Sequence, residues 1–275
     1  MMTTNDTLIY TEMPNGVAEI TLNRPKVRNA FDSQLIQKLI STFKQAESSP
    51  TVRVILLQAN GKHFSAGADL NWMRGMAQAS YKENYEDAKQ LALLMSTINY
   101  ISKPVVAKVH GAAFGGAIGL IACSDIVIAD KETTFCLSEV KLGLSPATIS
   151  PYVIDAIGAR AARRFFLTGE IFNSEKALSL GLISELTETS QLNNEINNII
   201  NSLLKNGPIA LTKTKELIQR INTETRESTL IEYTCELIAD LRVSEEGQEG
   251  LSAFLEKRVP SWTHSLTATG IKHDK

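Results

Sequence analysis

Two glycine-rich segments are the parts of this sequence best suited to chemistry. FSAGADL at 64–70 follows an apolar run at 54–58, and GGAIG at 115–119 follows another at 105–109. Small residues where a strand meets a helix let a ligand approach the backbone, and the first N–H groups of the helix have no partner within it. Two such N–H groups can form an oxyanion hole, which stabilises an oxygen that gains negative charge. The same segments would also serve as tight turns, and spacing alone leaves both interpretations open.

Other common catalytic and metal-binding patterns are missing from the sequence. GAAFGG at 111–116 is not GxGxxG and lacks the Lys-Ser/Thr pair of a phosphate-binding loop, and neither GxSxG nor HExxH occurs. The four histidines are His63, His110, His264 and His273, and the three cysteines are Cys123, Cys136 and Cys235. None of the histidines has metal-ligand spacing to another, and the cysteines contain no CxxC pair. We therefore predict no metal site and three reduced, mostly buried thiols.

The elements that would position the two segments alternate between strands and helices. Apolar runs at 8–11, 17–22, 54–58, 105–109 and 126–129 predict strands. Helical periodicity at 35–43, capped by Asp32 or Ser33, at 88–98 and at 116–122 predicts helices between them. Alternating strands and helices imply parallel pairing through crossover connections, so we predict an α/β fold.

The last third of the sequence has a different pattern. Apolar residues at helical spacing run from 192 to 204, and another helical face runs from 230 to 241. Between them, Asn206, Gly207 and Pro208 end one helix and begin the next. No strand pattern occurs after about residue 190. Such apolar faces require a cover, which either a second subunit or the core of the same chain could provide.

Composition excludes several classes of protein. The 275 residues suffice for about two domains or one large α/β domain. The net charge of −2 argues against a dedicated nucleic-acid binder, and the run of arginines at 160–164 is better explained as a helix face with ion pairs. The longest stretch without charged residues, 109–124, is too short to span a membrane. The N-terminus is not a signal peptide, so we expect a cytoplasmic location.

Several motifs in consistent order resemble the enoyl-CoA hydratase/isomerase (crotonase) superfamily. They are FSAGADL at 64–70, HGAAFGGAIGL at 110–120 and LSEVKLGLSP at 137–146, with further matches at 22–30, 167–182 and 254–260. The resemblance thus covers nearly the whole chain. It implies a spiral core of ββα turns, assigned here to residues 1–190, and a helical region at 191–275 that builds trimers or hexamers. It also implies acyl-CoA thioester substrates and no cofactor, since CoA is part of the substrate.

The resemblance also assigns roles to individual residues. The N–H groups of Ala68 and Gly116 would form the oxyanion hole, and Glu139 would transfer protons. Residues that would bind the acyl group or CoA are Lys26, Val27, Ala66, Gly67, Asp69, Leu70, Gly115, Gly119 and, from a neighbouring subunit, Lys257. Trp72 and Met73 lie where the family places the walls of the acyl pocket, although a core role fits them equally.

Gly119 is the main departure from the pattern of the family hydratases. Those enzymes usually carry one glutamate three residues after the oxyanion glycine and a second one about twenty residues further on. Here Gly119 replaces the first glutamate and only Glu139 remains. One carboxylate is compatible with two reactions: hydration of a conjugated enoyl-CoA, or isomerisation of a Δ3-enoyl-CoA to its Δ2 form. A protein that has lost catalysis or binds RNA is the alternative from another class, and the net charge argues against RNA.

A finer resemblance favours hydration. GADLNWM at 67–73, together with 136–153 and 157–170, is similar to the methylglutaconyl-CoA hydratases of leucine degradation and to the isohexenylglutaconyl-CoA hydratases of terpene degradation. Their substrates carry a second carboxylate on the acyl chain. We therefore hypothesise that Gly119 leaves room for the branched acyl group or its carboxylate, which a glutamate would repel.

Overall fold

Two β-sheets form the frame of the computed structural model, which describes residues 6–224 and 226–263. The strands are β1 (Leu8–Glu12), β2 (Val17–Leu22), β3 (Val54–Ala59), β4 (Val105–Val109), β5 (Ala112–Phe114), β6 (Ile126–Asp130), β7 (Thr134–Cys136), β8 (Ile171–Asn173) and β9 (Glu185–Thr187). The larger sheet has the order β1-β2-β3-β4-β6-β9, and all its neighbours are parallel except β1 and β2. The smaller sheet, β5-β7-β8, lies beside it.

Helices connect and cover the strands. They are α1 (Ser33–Ser48), α2 (Leu70–Gln78), α3 (Tyr81–Tyr100), α4 (Gly116–Ala122), α5 (Ser150–Thr168), α6 (Ser174–Leu180), α7 (Leu192–Leu204), α8 (Pro208–Thr223), α9 (Glu227–Val243) and α10 (Glu245–Leu255). Two successive turns of the chain each add one strand to the larger sheet, one short strand to the smaller sheet and then a helix: β4-β5-α4 and β6-β7-α5. This order confirms the expected ββα core.

The predicted elements agree with the structure where the sequence pattern is strong. The bounds of β2, β4 and α4 are those predicted, and the Asp32 carboxylate caps α1 by accepting a hydrogen bond from the Leu35 N–H at 2.8 Å. Helix α3 begins seven residues before the predicted start, because Ser80 and Glu83 form a capping box that the apolar pattern does not reveal. His264, His273 and the end of the predicted C-terminal region, 264–275, lie outside the described residues.

The core of the same chain covers part of the C-terminal helices. The apolar stripe of α7 packs on the larger sheet, where Ile196 and Ile200 join a buried cluster with Leu56 and Val106. Helix α8 is tied to the core by an ion pair in which Lys215 Nζ lies 2.7 Å from Asp125 Oδ2. Helix α9 has no buried residue.

The described helices include none that is long and apolar enough to cross a membrane. Cys123 and Cys136 are buried, Cys235 is exposed, and none of the three forms a disulfide.

Candidate active site

The segment after β3 is fixed by a short parallel bridge to the segment before α1. The Phe31 N–H donates to the Gly67 carbonyl at 2.8 Å, and the Asp69 N–H donates to the Phe31 carbonyl at 2.8 Å. Peptide groups alternate in direction along an extended chain, so the N–H of Ala68, between these two bonds, faces the opposite side. Ala68 is exposed, and no described residue accepts a hydrogen bond from its N–H. The structure therefore presents this N–H as a free donor.

The second segment ends in a glycine that turns the chain into α4. Gly115 has φ +55° and ψ −124°, a conformation open to glycine alone, and its N–H donates to the Cys136 carbonyl at 2.9 Å. Helix α4 then begins at Gly116, whose N–H has no acceptor within the helix because it lies in the first turn. The sharp turn at Gly115 thus creates a second free donor.

The two segments lie side by side. Ser65 forms a bridge with Ala113: its N–H donates to the Ala112 carbonyl, and its carbonyl accepts from the Phe114 N–H, both at 3.0 Å. A methyl group built on Gly115 would lie 4.0 Å from the Cα of Gly67. The structure therefore brings together the two glycine-rich segments, which are about fifty residues apart in the sequence.

Glu139 faces the same place from a third segment. It begins a short 3₁₀ helix after β7, and its Oε1 would lie 3.3 Å from a methyl group built on Gly115. Its Oε2 is buried and has no hydrogen-bond partner among the residues that the structure describes. Burial raises the pKa of Glu139 above its ordinary value, and the hydrogen bond from its own backbone N–H only partly opposes this effect. A carboxylate with a raised pKa and a free oxygen is suited to accept and return a proton.

Gly119 does not leave the open space that the sequence hypothesis requires. A Cβ atom at this position would lie 2.4 Å from Ile149 Cγ2 and 2.7 Å from Met95 Sδ, and both side chains are buried. The volume that a side chain at 119 would take is therefore filled by the protein itself. The idea that Gly119 makes room for the acyl group is wrong in this geometry, because Ile149 and Met95 pack directly against its Cα. Gly119 is a packing position, and apolar groups surround it.

A polar network supports the first segment, and the sequence reasoning did not single it out. Arg24 forms ion pairs with Asp32 at 2.8 Å and with Asp69 at 3.1 Å. Burial alone would raise the pKa of Asp69, but the N–H groups of Asn71 and Trp72 and the charge of Arg24 outweigh it, so this pKa is lowered. Asp69 therefore stays ionised and caps α2, the helix that begins at Leu70, two residues after Ala68.

The buried Asn29 shapes the neighbouring loop. Its side chain donates to the carbonyls of Asn60 and His63, each at 2.9 Å, and accepts from the Arg24 N–H at 2.7 Å. Arg28 and Asn29 both have positive φ values, which such a set of bonds can stabilise. Arg24 and Asn29 belong to the motif at 22–30, and that motif was the available signal for this network.

The other predicted substrate-binding residues fall into two groups. Lys26 and Val27 form an exposed 3₁₀ turn that ends before Arg28. The Arg28 carbonyl accepts a hydrogen bond from the Ala66 N–H at 3.0 Å, so this turn adjoins the site. Leu70 is also exposed there, at the start of α2. Lys257 is exposed after α10 and has no hydrogen bond or ion pair to the site within the described part of the chain.

Two further predictions concern charged groups. Arg164, exposed on α5, pairs at 2.6 Å with Glu170, which lies two residues after the end of that helix, as the ion-pair interpretation of the arginine run expects. In residues 6–224 and 226–263, no cluster of three or more histidine, cysteine or acidic side chains could bind a metal ion.

Comparison with known proteins gives a consistent match. The family described as Enoyl-CoA hydratase/isomerase matches residues 12–265. The solved structure of an enoyl-CoA hydratase from Shewanella pealeana is 47% identical, with a TM-score of 0.90 over 94% of this chain and 96% of that one.

Curated relatives include both reaction types. The chain is 31% identical to the trans-2-decenoyl-(acyl-carrier-protein) isomerase of Streptococcus mutans, over 93% of this chain and 97% of the relative. It is 28% identical to the 2,3-dehydroadipyl-CoA hydratase of Escherichia coli, over 88% of this chain and 93% of the relative.

Proposed function

The chain belongs to the enoyl-CoA hydratase/isomerase family, and from this premise we propose that it hydrates a 2-enoyl-CoA thioester, with 3-methylglutaconyl-CoA as the substrate. The observation that carries the proposal is that Glu139 lies beside the two segments that present free backbone N–H groups. Its carboxylate has an unpaired oxygen, and the N–H groups of Ala68 and Gly116 lie on the two segments that adjoin it.

The proposed reaction adds water across the C2–C3 double bond. The thioester oxygen accepts hydrogen bonds from the Ala68 and Gly116 N–H groups, which stabilise the negative charge that forms as water attacks C3. Glu139 takes the proton that the water loses and returns a proton to C2, so the carboxylate is regenerated. No metal or redox group takes part, and CoA enters and leaves with the acyl chain.

Two features support a substrate with its own carboxylate. The finer motif resemblance is to hydratases of glutaconyl thioesters. The Escherichia coli relative, by its name, also acts on the thioester of a dicarboxylic acid.

Isomerisation of a Δ3-enoyl-CoA is the second candidate. It needs one acid/base group, which moves a proton between two carbons. The volume beside Gly119, where the family hydratases usually carry their first glutamate, is filled by the apolar side chains of Ile149 and Met95. The Streptococcus mutans relative bears the name of an isomerase.

We further propose a cytoplasmic homotrimer or hexamer. The exposed Ile231 and Ile238 of α9 are apolar groups that a second subunit could cover. In such an assembly Lys257 would reach CoA bound to the neighbouring subunit.

Loss of enoyl-thioester absorbance tests the proposed substrate, with 3-methylglutaconyl-CoA and crotonyl-CoA assayed side by side. We expect kcat/KM for the branched diacid to exceed that for crotonyl-CoA by at least about tenfold, the value of one good polar contact. Equal rates would refute the diacid preference. If neither thioester is hydrated and a 3-enoyl-CoA is converted, the activity is isomerisation and not hydration.

A further inference from the structure

Helix α2 carries one wall of the site, and apolar burial holds it only through Trp72, which is half-buried against the core. It begins at Leu70, directly after Ala68 and Asp69, and it has no buried residue. A groove of about 740 Å³ separates it in part from α1 and α3 and is lined by Ser33, Met76, Asp87 and Gln90 among others. A helix without a buried face needs other contacts to fix its position.

Polar contacts at the start and at the end of the helix supply that support. At the start, the Asp69 carboxylate accepts from the N–H groups of Asn71 at 2.9 Å and Trp72 at 3.3 Å. At the end, the Asn84 side-chain amide donates to the carbonyls of Met76 and Ala79, at 3.0 and 3.1 Å.

A further contact reaches from the first turn of α2 to α3. The Trp72 indole N–H donates to Asp87 Oδ1 at 3.2 Å, and the Ser33 hydroxyl donates to the same oxygen at 3.0 Å. One carboxylate oxygen thus joins the first turn of α1, the first turn of α2 and the body of α3. Trp72 and Asp87 are both half-buried, and a hydrogen bond to a carboxylate in such a place is stronger than a neutral one.

We propose that Asp87 is a positioning residue, which holds Trp72 and, through it, the first turn of α2 and the N–H of Ala68. In this role Asp87 acts through Trp72 rather than on the substrate itself. Its effect on turnover rests on the proposed function, whereas its effect on the position of α2 does not. Trp72 thereby acquires a defined role, because its indole N–H joins the first turn of α2 to α3 and α1 through Asp87.

Amide hydrogen exchange tests the contact without any substrate. The variants are Trp72→Phe, which keeps an aromatic ring and removes only the donor, and Asp87→Ala. Gln90→Ala is the matched control, since Gln90 lines the same groove from α3. We expect the amides of residues 66–76 to exchange about tenfold faster in the first two variants and unchanged in the control. Exchange equal to wild type in Trp72→Phe would overturn the proposal, even if Asp87→Ala did not fold.

Kinetics with whichever enoyl-CoA the wild type converts test the consequence. We expect Trp72→Phe and Asp87→Ala each to lower kcat by about tenfold or more and to leave KM within about twofold of the wild-type value. The reason is that a displaced oxyanion donor destabilises the transition state more than it weakens substrate binding. The double variant should be no slower than the slower single one, and Asp87→Asn, which keeps an acceptor oxygen, should retain most activity.

Effects that multiply in the double variant, or a rise in KM alone, would contradict the positioning role. If the wild type converts no enoyl-CoA while exchange responds as expected, the proposed function fails and the Asp87 contact stands.

Discussion

Replacement of Glu139 by glutamine is expected to lower kcat by about 10²- to 10⁴-fold with little change in KM, the range that a general acid/base group contributes. Glutamine keeps the shape of the side chain and cannot take a proton. The Glu139 carboxylate is the group nearest to a methyl group built on Gly115, at 3.3 Å. Steady-state kinetics on the preferred thioester measure the effect, and Glu132→Gln, at an exposed position in the β6–β7 turn, is the control.

Stability separates a catalytic loss from a folding defect. Burial raises the pKa of folded Glu139 above its unfolded value, so the ionised carboxylate costs stability at pH values above the folded pKa. Below the unfolded pKa both states are protonated and the cost vanishes. Glu139→Gln should therefore melt no lower than wild type above neutral pH. An inactive variant with a much lower Tm would show damage to the fold, and an active variant would remove Glu139 from the mechanism.

Gly115→Ala is expected to lower kcat by about 10²-fold, comparable with the loss of one oxyanion donor. The added methyl group would lie 3.3 Å from Glu139 Oε1 and would force the backbone out of its conformation at φ +55°, which orients the Gly116 N–H. The substitution therefore disturbs the donor and the carboxylate together. We also expect a loss of stability of about 1–3 kcal/mol from backbone strain.

Gly158→Ala is the matched control for strain. Gly158 also has a positive φ, +75°, and no atom lies within 4 Å of a Cβ built there. This variant should lose a similar amount of stability and retain kcat. Thermal melts and steady-state kinetics on both variants test this expectation. Equal activity in the two variants would show that the conformation of Gly115 does not determine the geometry of the active site.

The sequence predicts well the elements that periodicity controls. Buried strands such as β2 and β4 and the short apolar helix α4 have their predicted bounds, because burial on one or both faces dictates the order of their residues. Strands β5, β7 and β8 have three residues each, too few for a pattern, and their pairing is visible only in three dimensions.

The site itself was predictable only in part. The two glycine-rich segments follow from residue type and spacing, whereas Glu139 was identified by family resemblance, because an isolated glutamate carries no local signal. The contacts that support the site join distant positions: Arg24 with Asp69, and Trp72 with Asp87. Packing around Gly119 reversed the expectation of open space, since no local pattern shows that Ile149 and Met95 fill it.

The pH dependence of kcat/KM for the wild type tests most directly whether one buried carboxylate does the proton transfer. Glu139 must start ionised to take a proton, so activity should fall on the acid side as it protonates. The expected result is a single acid limb, with its midpoint above 4.5, the ordinary value for a glutamate pKa. Activity that is unchanged through that region, or a limb at the ordinary carboxyl pKa, would contradict the assignment of Glu139.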